Sequence, residues 1–394
     1  MTRAGWGAVL LGFGLIAVGR MFALLEITVV GLALLGLIIV TLLAGVRSRP
    51  NLQVTRTVRP DRVHVGDPSE VSVDVVNIGR HATPVLRVVD VVEGTGDAAI
   101  RLAPLSPGKR SRAVYRLPTD RRGLVTVGPL EVEHGDPFGL TWRRRTVAGT
   151  DLLTVLPRVD DLDRVPVTSG HDPLSGRDHR HRLGGVGDDL YALRPYVPGD
   201  DLRRVSWRAT ARRDELIVRQ DELPWQRRTT VLLDTRAETM DGDVFERAVS
   251  AAASVIHRQQ DDLVRLIGPD GYDTGFVTGD VAITAMMEYL AVVTPVPRRS
   301  LRGLTERLGQ SQGGGTLVLI ARLRPQDLDL PARLRTRFGA VRPIVFLEPG
   351  DDAGQIGADP DAIVVEPFGS FAAAWHRSVE AAYARQGRTT ALSP

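Results

Sequence analysis

Cysteine is absent from all 394 residues of the chain. Its absence excludes disulfide scaffolds, thiolate metal sites and cysteine nucleophiles. Lysine is nearly absent as well, because Lys109 is the only lysine and every other basic side chain apart from histidine is an arginine. Arginine runs therefore carry little information by themselves. The net charge of +3 is small for this length, so no nucleic-acid partner is predicted.

Charge is also scarce at the start of the chain, over residues 1–46. The run Ile27–Val46 contains no charged residue and is long enough, as a helix, to cross a hydrocarbon core of ~30 Å. Ala4–Gly19 is uncharged too, and it reaches spanning length if Met21–Leu25 joins it across Arg20. We therefore predict a transmembrane helical hairpin over residues 1–46, with the lipid bilayer as its partner.

The first apolar stretch carries glycines at a spacing of seven residues, Gly5, Gly12 and Gly19. This spacing places them on one helix face, where the second helix can pack closely. Two alternatives remain open: a cleaved signal peptide for the first stretch, and buried helices of a soluble core.

Arginines flank the predicted hairpin on both sides. Arg3 precedes it, and Arg47, Arg49, Arg56 and Arg59 follow it. Arginine excess is retained on the cytoplasmic side of membranes. We therefore expect a two-pass protein of the plasma membrane, with both termini and the soluble domains in the cytoplasm.

Residues 50–160 show a period of two, which is typical of strands with one buried face. Glu70–Val75 alternates polar and apolar side chains. Further candidate strands, separated by Gly and Pro turns, are Val85–Val92, Ser111–Leu117, Leu124–Val127 and Leu152–Leu156. This pattern predicts a β-sandwich of immunoglobulin-like type.

Residues 161–228 are predicted to be a linker that includes a distinctive segment described below. Pro166–Gly187 lacks apolar periodicity and is interpreted as irregular. Its His171, His179 and His181 have no helical spacing, so a solvated loop is the favoured interpretation and a metal site the alternative.

Residues 229–390 alternate short apolar runs with amphipathic stretches, which predicts a doubly wound α/β domain. The predicted strands are Val231–Asp234, Leu263–Ile267, Thr316–Ile320, Pro343–Leu347 and Ala362–Val365. The predicted helices are Val244–Gln259, Ile283–Val293 and Phe371–Ala384.

The end of the first of these strands resembles the von Willebrand factor A domain, in which Asp-x-Ser-x-Ser supplies oxygen ligands to Mg²⁺. Asp234 keeps the first position, but Arg236 and Glu238 replace the serines, and Arg322 stands in a later loop where the resembled domain often has aspartate. A guanidinium is not a metal ligand. We expect a degenerate site with no metal and no other cofactor, in which Asp234 pairs with a nearby arginine.

The segment 194–212, called the hallmark segment below, is the most distinctive part of the sequence. Pro198-Gly199 predicts a turn, Asp200 or Asp201 can cap the following helix, and Arg204, Arg208 and Arg212 then share one helix face. The candidate binding or structural residues are Tyr196, Pro198, Gly199, Asp200, Asp201, Arg203, Trp207, Arg208 and Arg212. Three hypotheses remain: an internal ion-pair network, a protein-recognition surface, and a phosphate or nucleic-acid site.

The hallmark segment resembles that of the bacterial domain-of-unknown-function 58 family, as do Arg122-Gly123 to Gly128-Pro129 and Asp136-Pro137-Phe138-Gly139-Leu140. The resemblance implies a membrane protein that works with a MoxR-type AAA+ ATPase and other membrane proteins. No catalytic constellation stands out. The resulting expectation is a non-enzymatic adaptor or scaffold in envelope-related protein assembly or maturation, with an envelope-associated hydrolase as the alternative.

Overall fold

The structure is a computed structural model. It describes residues 2–47, 50–135, 139–140, 142–163, 192–195, 210–211, 216–220, 228–240, 242–268, 271–297, 301, 308, 315–324, 327–351 and 359–391. The chain divides into two compact units, Met1–Arg158 and Val159–Pro394. The apolar N-terminal helices and the β-rich region share the first unit.

The predicted hairpin consists of helices α1 (Arg3–Met21) and α2 (Leu25–Arg47). Both are long and apolar enough to cross a membrane, and only 17% of each apolar window is buried. A helix from the core of a soluble protein would be mostly buried, so that alternative does not fit. The first helix continues through Arg20 and ends at Met21, so only the first residue of Met21–Leu25 belongs to it, and Ala23 has a positive φ of 52° in the turn.

Glycines allow the two helices to approach closely, as their spacing predicts. A Cβ atom on Gly31 would lie 2.8 Å from the carbonyl oxygen of Gly12, and one on Gly12 would lie 2.8 Å from Leu35 Cδ2. A Cβ on Gly19 would lie 2.4 Å from Thr28 Oγ1. Gly5 differs from the other two, because its close neighbour is the Leu140 carbonyl oxygen of the β-rich region, 2.3 Å from the Cβ position.

The β-rich region contains two sheets. The three-stranded sheet has the order β1 (Leu52–Arg59), β3 (Glu70–Asn77), β6 (Arg110–Arg116). The second sheet has the order β2 (Arg62–His64), β9 (Asp151–Leu156), β7 (Gly123–Gly135), β4 (Leu86–Val92), β5 (Gly96–Leu102), with β8 (Trp142–Ala148) also paired to β7. One core joins the sheets, with Val71 and Val73 from the first packed with Leu86 and Leu130 from the second. The predicted sandwich is therefore formed.

A buried polar network also connects the two sheets. Arg56 on β1 donates to Asp90 on β4 at 2.8 Å and to Asp151 on β9 at 2.7 Å. Tyr115 on β6 donates to the other oxygen of Asp90 at 2.7 Å. The side chains of Arg56 and Asp90 are 2% and 1% exposed, so each charge is stabilised by the other in place of water.

The second unit contains a parallel sheet with the order β13 (Leu263–Ile267), β12 (Arg228–Leu233), β14 (Thr316–Ala321), β15 (Ala340–Phe346), β16 (Ile363–Val365). All neighbouring strands in it are parallel. Its described helices are α3 (Gly242–Arg258), α4 (Asp280–Val292), α5 (Leu330–Leu334) and α6 (Phe371–Ala391). A separate antiparallel pair joins β10 (Ala192–Pro195) to β11 (Ile217–Gln220).

Both faces of the parallel sheet are covered. Leu330 and Leu334 of α5 pack with Leu317 and Leu319 on one face. On the other face, Arg247 of α3 lies over the ring of Phe346, 5.3 Å from its centroid. Helices on both faces explain why the strands read as continuous apolar runs. The doubly wound α/β prediction agrees with this arrangement.

Candidate functional site

The strand order favours one end of the parallel sheet as the position for a ligand. In sequence order the sheet reads 2-1-3-4-5, so the chain turns in opposite directions after β12 and after β14. Ligands of doubly wound sheets bind beyond the carboxyl ends of the strands at such a reversal. Asp234 directly follows β12, and Arg322 directly follows β14. The sequence-predicted position therefore lies at the topologically favoured edge.

Asp234 and Arg236 form a closed, two-pronged ion pair. Arg236 Nε lies 3.0 Å from Asp234 Oδ1, and Arg236 Nη2 lies 2.9 Å from Asp234 Oδ2. The backbone N–H of Arg236 also donates to Oδ1 at 3.0 Å, and the hydroxyl of Thr239 donates to Oδ2 at 3.3 Å. Asp234 is fully buried. Both of its oxygens are thus occupied by donors from the same loop.

A second carboxylate completes the cluster. Arg236 Nη1 lies 3.3 Å from Asp327 Oδ2, and Asp327 is 6% exposed. Burial alone would lower the pKa of the Arg236 guanidinium, but the hydrogen bonds and charges of Asp234 and Asp327 outweigh it and raise that pKa above its ordinary value. The arginine therefore stays charged at any pH at which the protein folds.

These residues do not fit a divalent cation. The guanidinium of Arg236 occupies the carboxylate of Asp234, which would have to bind the metal. Its positive charge would also repel a metal cation. Glu238 extends from the same loop to an exposed partner: its Oε2 lies 3.5 Å from Arg324 Nη1. Across the part of the chain that the structure describes, no group of three or more His, Asp or Glu side chains has a geometry that could hold a metal ion.

Arg322 pairs with the loop after β15 and not with Asp234. Its Nη2 lies 2.9 Å from Asp351 Oδ1, and its Nη1 lies 2.5 Å from Glu348 Oε2. The hydrogen bond from Arg322 lowers the pKa of Asp351 below its ordinary value. Arg322 therefore joins the carboxyl ends of β14 and β15, and its single positive charge is shared by two carboxylates.

The same edge presents an exposed aromatic side chain. Phe368, in the loop after β16, is 89% exposed and has a left-handed backbone with φ of 62°. That conformation costs a non-glycine residue about 1–2 kcal/mol. Arg247 holds the loop from both sides, because its Nη2 donates to the carbonyl oxygens of Glu366 at 2.9 Å and Gly369 at 2.8 Å. Arg247 thus binds the backbone on both sides of Phe368.

The hallmark candidates lie outside the described residues, namely Tyr196, Pro198, Gly199, Asp200, Asp201, Arg203, Trp207, Arg208 and Arg212. His171, His179 and His181 lie outside them too. Next to the hallmark residues, the structure describes the pairing of β10 with β11, in which Arg194 faces Val218. The chain just before residue 196 and just after residue 216 is therefore brought together as a strand pair.

Sequence reasoning missed Asp327, Arg247 and Phe368. Asp327 was findable in principle, because it follows β14 and the carboxyl ends of parallel strands share one edge. The sequence indicates Phe368 only weakly, because it shows no more than a phenylalanine between Pro367 and Gly369 in a loop. Nothing in the sequence links Arg247 to two carbonyl groups about 120 residues later.

The fold and site define an α/β domain with an ion-paired carboxyl edge, in a chain that also carries a β-sandwich and two apolar helices. Residues 192–331 match the family described as "Protein of unknown function DUF58". The chain is also 27% identical over 157 residues to the uncharacterized protein YeaD of Bacillus subtilis (strain 168), an alignment covering 38% of this chain and 36% of YeaD. Residues 192–331 are therefore similar to the DUF58 family, and the alignment spans only about a third of the length of that relative.

Solved structures with local similarity are unrelated to one another in their described roles. The CARDB domain of the PF1109 protein from Pyrococcus furiosus is 18% identical, with 27% of this chain and 93% of that chain covered and a TM-score of 0.21. A beta-glucosidase from Listeria innocua is 15% identical, with 27% and 16% covered and a TM-score of 0.19. With TM-scores this low, these similarities carry no argument about what the chain binds or does.

Proposed function

We propose that this chain is a non-enzymatic, membrane-anchored adaptor, with an immunoglobulin-like sandwich and a von Willebrand factor A-like α/β domain that binds a protein partner without a metal. The observation that carries the proposal is Phe368. An aromatic side chain that is 89% exposed, on a backbone held against its preference by Arg247, has no evident role in stability. Phenylalanine is among the aromatic residues that are enriched at protein interfaces.

The partner that we propose is a MoxR-type AAA+ ATPase, in envelope-related protein assembly or maturation at the inner face of the plasma membrane. The family resemblance supplies this partner, together with other membrane proteins. The closed pair of Asp234 and Arg236 favours a surface that binds by side-chain contacts over one that shares a metal with its ligand. The alternative, an envelope-associated hydrolase, needs a catalytic pair in a cleft, whereas the carboxylates described at this edge are held in ion pairs with arginines.

Two measurements test the proposal. Reporter fusions after Arg49 should behave as cytoplasmic, whereas a fusion between Met21 and Glu26 should behave as external. In a pull-down, the full chain purified from membranes should bind the purified MoxR-type ATPase from the same organism. A fusion after Arg49 that reports the outside would overturn the cytoplasmic location. Hydrolysis of an envelope substrate by the purified chain would favour the hydrolase.

A further inference from the structure

Only one end of the β-sandwich, among the residues that the structure describes, is joined to the helical hairpin. The hydroxyl of Thr2, just before α1, donates to the Gly139 carbonyl oxygen at 2.7 Å, and the N–H of Thr2 donates to the Leu140 carbonyl oxygen at 3.0 Å. The chain leaves α2 at Arg47 and begins β1 at Leu52. Both outer ends of the hairpin therefore meet the sandwich at the same pole, called the hairpin pole below.

Strand pairing identifies the loops that form the hairpin pole. Leu52 of β1 pairs with Asn77 of β3, and the loop 78–85 then leads to Leu86 of β4, which pairs with His134 of β7. The loop 103–109 joins Leu102, the partner of Leu86, to the start of β6. The two loops are bonded to each other through Thr83 and Leu105, at 2.9 Å.

The hairpin pole is basic and the opposite pole is mixed in sign. Arg80 and Lys109 are exposed in its two loops, and Arg143 lies at the same end of the second sheet, on β8 opposite His134. None of the described residues in loops 78–85 and 103–109 or at 139–140 is acidic. The opposite pole mixes arginines with acidic residues, which are Asp61, Asp67, Glu93 and Asp120.

Exposed apolar side chains stand on the same pole. Ile78 is 52% exposed, Val85 is 57% exposed and Trp142 is 46% exposed. Val85 precedes the residue paired with His134, and Trp142 pairs with Gly135, so both lie at the hairpin end of the second sheet. Tryptophan and apolar side chains beside arginine and lysine are the composition that membrane interfaces favour.

We infer that the hairpin pole lies on the bilayer surface, where Arg80, Lys109 and Arg143 bind the anionic headgroups of lipids and Ile78, Val85 and Trp142 enter the interfacial layer. The inference rests on the membrane anchoring in the proposed function. It adds that the sandwich is seated on the membrane through its own side chains, and that anionic lipid is a ligand of this protein.

The absence of cysteine allows each position to be labelled singly. The experiment uses the full chain in vesicles of phosphatidylcholine and phosphatidylglycerol, with one nitroxide at Val85→Cys, Leu124→Cys or Leu11→Cys. Leu124 is a matched control, because it is exposed and apolar but lies at the far end of β7, roughly 35 Å from Gly135. Leu11 lies in the middle of α1 and is 58% exposed.

Accessibility to oxygen and to a water-soluble nickel chelate reports the depth of each label. The expected result is a Leu11 label in the hydrocarbon, a Val85 label at headgroup depth and a Leu124 label in water. A Leu11 label in the hydrocarbon with a Val85 label as exposed to nickel as Leu124 would overturn the inference while leaving the anchor intact. A Leu11 label in water would overturn the anchor itself.

A second measurement tests the charge. The preference of the reconstituted chain for spin-labelled phosphatidylglycerol over phosphatidylcholine should fall about fivefold or more in Arg80→Gln/Lys109→Gln at low salt. The matched control is Arg59→Gln/Arg121→Gln, which removes two exposed arginines from the opposite pole and should leave the preference unchanged. Equal effects of the two double variants would contradict specific headgroup binding.

Discussion

Arg236 lies against Asp234 with two parallel nitrogen–oxygen contacts, of 3.0 and 2.9 Å, at the carboxyl end of the first strand of the parallel sheet. The two residues are separated by one position, so the pair is made within a single turn of loop. The guanidinium thus occupies both carboxylate oxygens of Asp234, and the pair holds the loop closed.

Removal of Arg236 should destabilise the α/β unit strongly. Arg236→Ala leaves Asp234 and Asp327 buried without a counter-charge, which costs about 3–5 kcal/mol in buried pairs. We expect the thermal midpoint of this unit to fall by about 5–15 °C. Arg324→Ala is the control, since its pair with Glu238 is exposed and should be worth less than about 1 kcal/mol. Similar midpoints for the two variants would show that the Arg236 cluster does not stabilise the fold.

The chain should not bind Mg²⁺ or Mn²⁺ specifically. Both oxygens of Asp234 accept hydrogen bonds from Arg236, so a cation would have to displace a charged guanidinium. Titration calorimetry on the full chain should give no stoichiometric heat. Submillimolar binding that disappears in Asp234→Ala would contradict this expectation, whereas binding that persists in that variant would lie elsewhere.

The close approach of the two apolar helices should be sensitive to substitution of Gly31. A side chain at Gly31 meets the Gly12 carbonyl oxygen at 2.8 Å, and backbone cannot move aside as a side chain can. Gly31→Leu should cost about 1–3 kcal/mol, as overpacking does. Gly36→Leu, on the same helix with nothing within 4 Å, is the matched control. Thermal stability in detergent checks the difference, and equal losses would mean that the helices do not cross at Gly12 and Gly31.

The buried network of the sandwich predicts a loss of stability at alkaline pH. Burial, followed by the hydrogen bond to Asp90, raises the pKa of Tyr115 well above its ordinary value of about 10. The unfolded chain therefore releases this proton first as the pH rises. The contribution of Tyr115 is complete below pH ~10 and falls above it.

Denaturation between pH ~9 and ~11 measures this effect. Tyr115→Phe should flatten the alkaline decline, at some cost in stability near neutral pH because Asp90 loses a donor. Tyr383→Phe, at an exposed position, should leave the slope unchanged. An unchanged slope in Tyr115→Phe would contradict the role of the network.

Sequence predicted the parallel sheet well because its strands are buried on both faces. The predicted and observed bounds of the strand Leu263–Ile267 are identical, and those of the other four strands differ by a few residues. The strands of the β-sandwich were harder to predict from the sequence. The strand β8 begins with Trp142 and three arginines, which hide its pairing to β7, because an edge strand needs no apolar alternation.

The site was predictable only as far as local sequence reaches. Arg236, two residues after Asp234, indicated a site that does not fit a metal, since a guanidinium cannot bind one. Asp327 lies 91 residues from Arg236, and the sequence alone does not bring the two together. The clamp of Arg247 on the Phe368 loop depends on backbone carbonyl groups, which carry no sequence signal.

Binding of the partner to variants of the presented surfaces tests the adaptor account most directly. Phe368→Ala removes the exposed ring and touches no core contact, and Arg208→Glu reverses a charge in the hallmark segment. Each variant of the full chain would be assayed twice, for thermal unfolding and for retention of the purified MoxR-type ATPase. The account predicts weaker retention by about 2 kcal/mol or more, with an unchanged melt. Full retention by both variants would contradict it, and a collapsed melt for Arg208→Glu would assign the hallmark segment to internal structure.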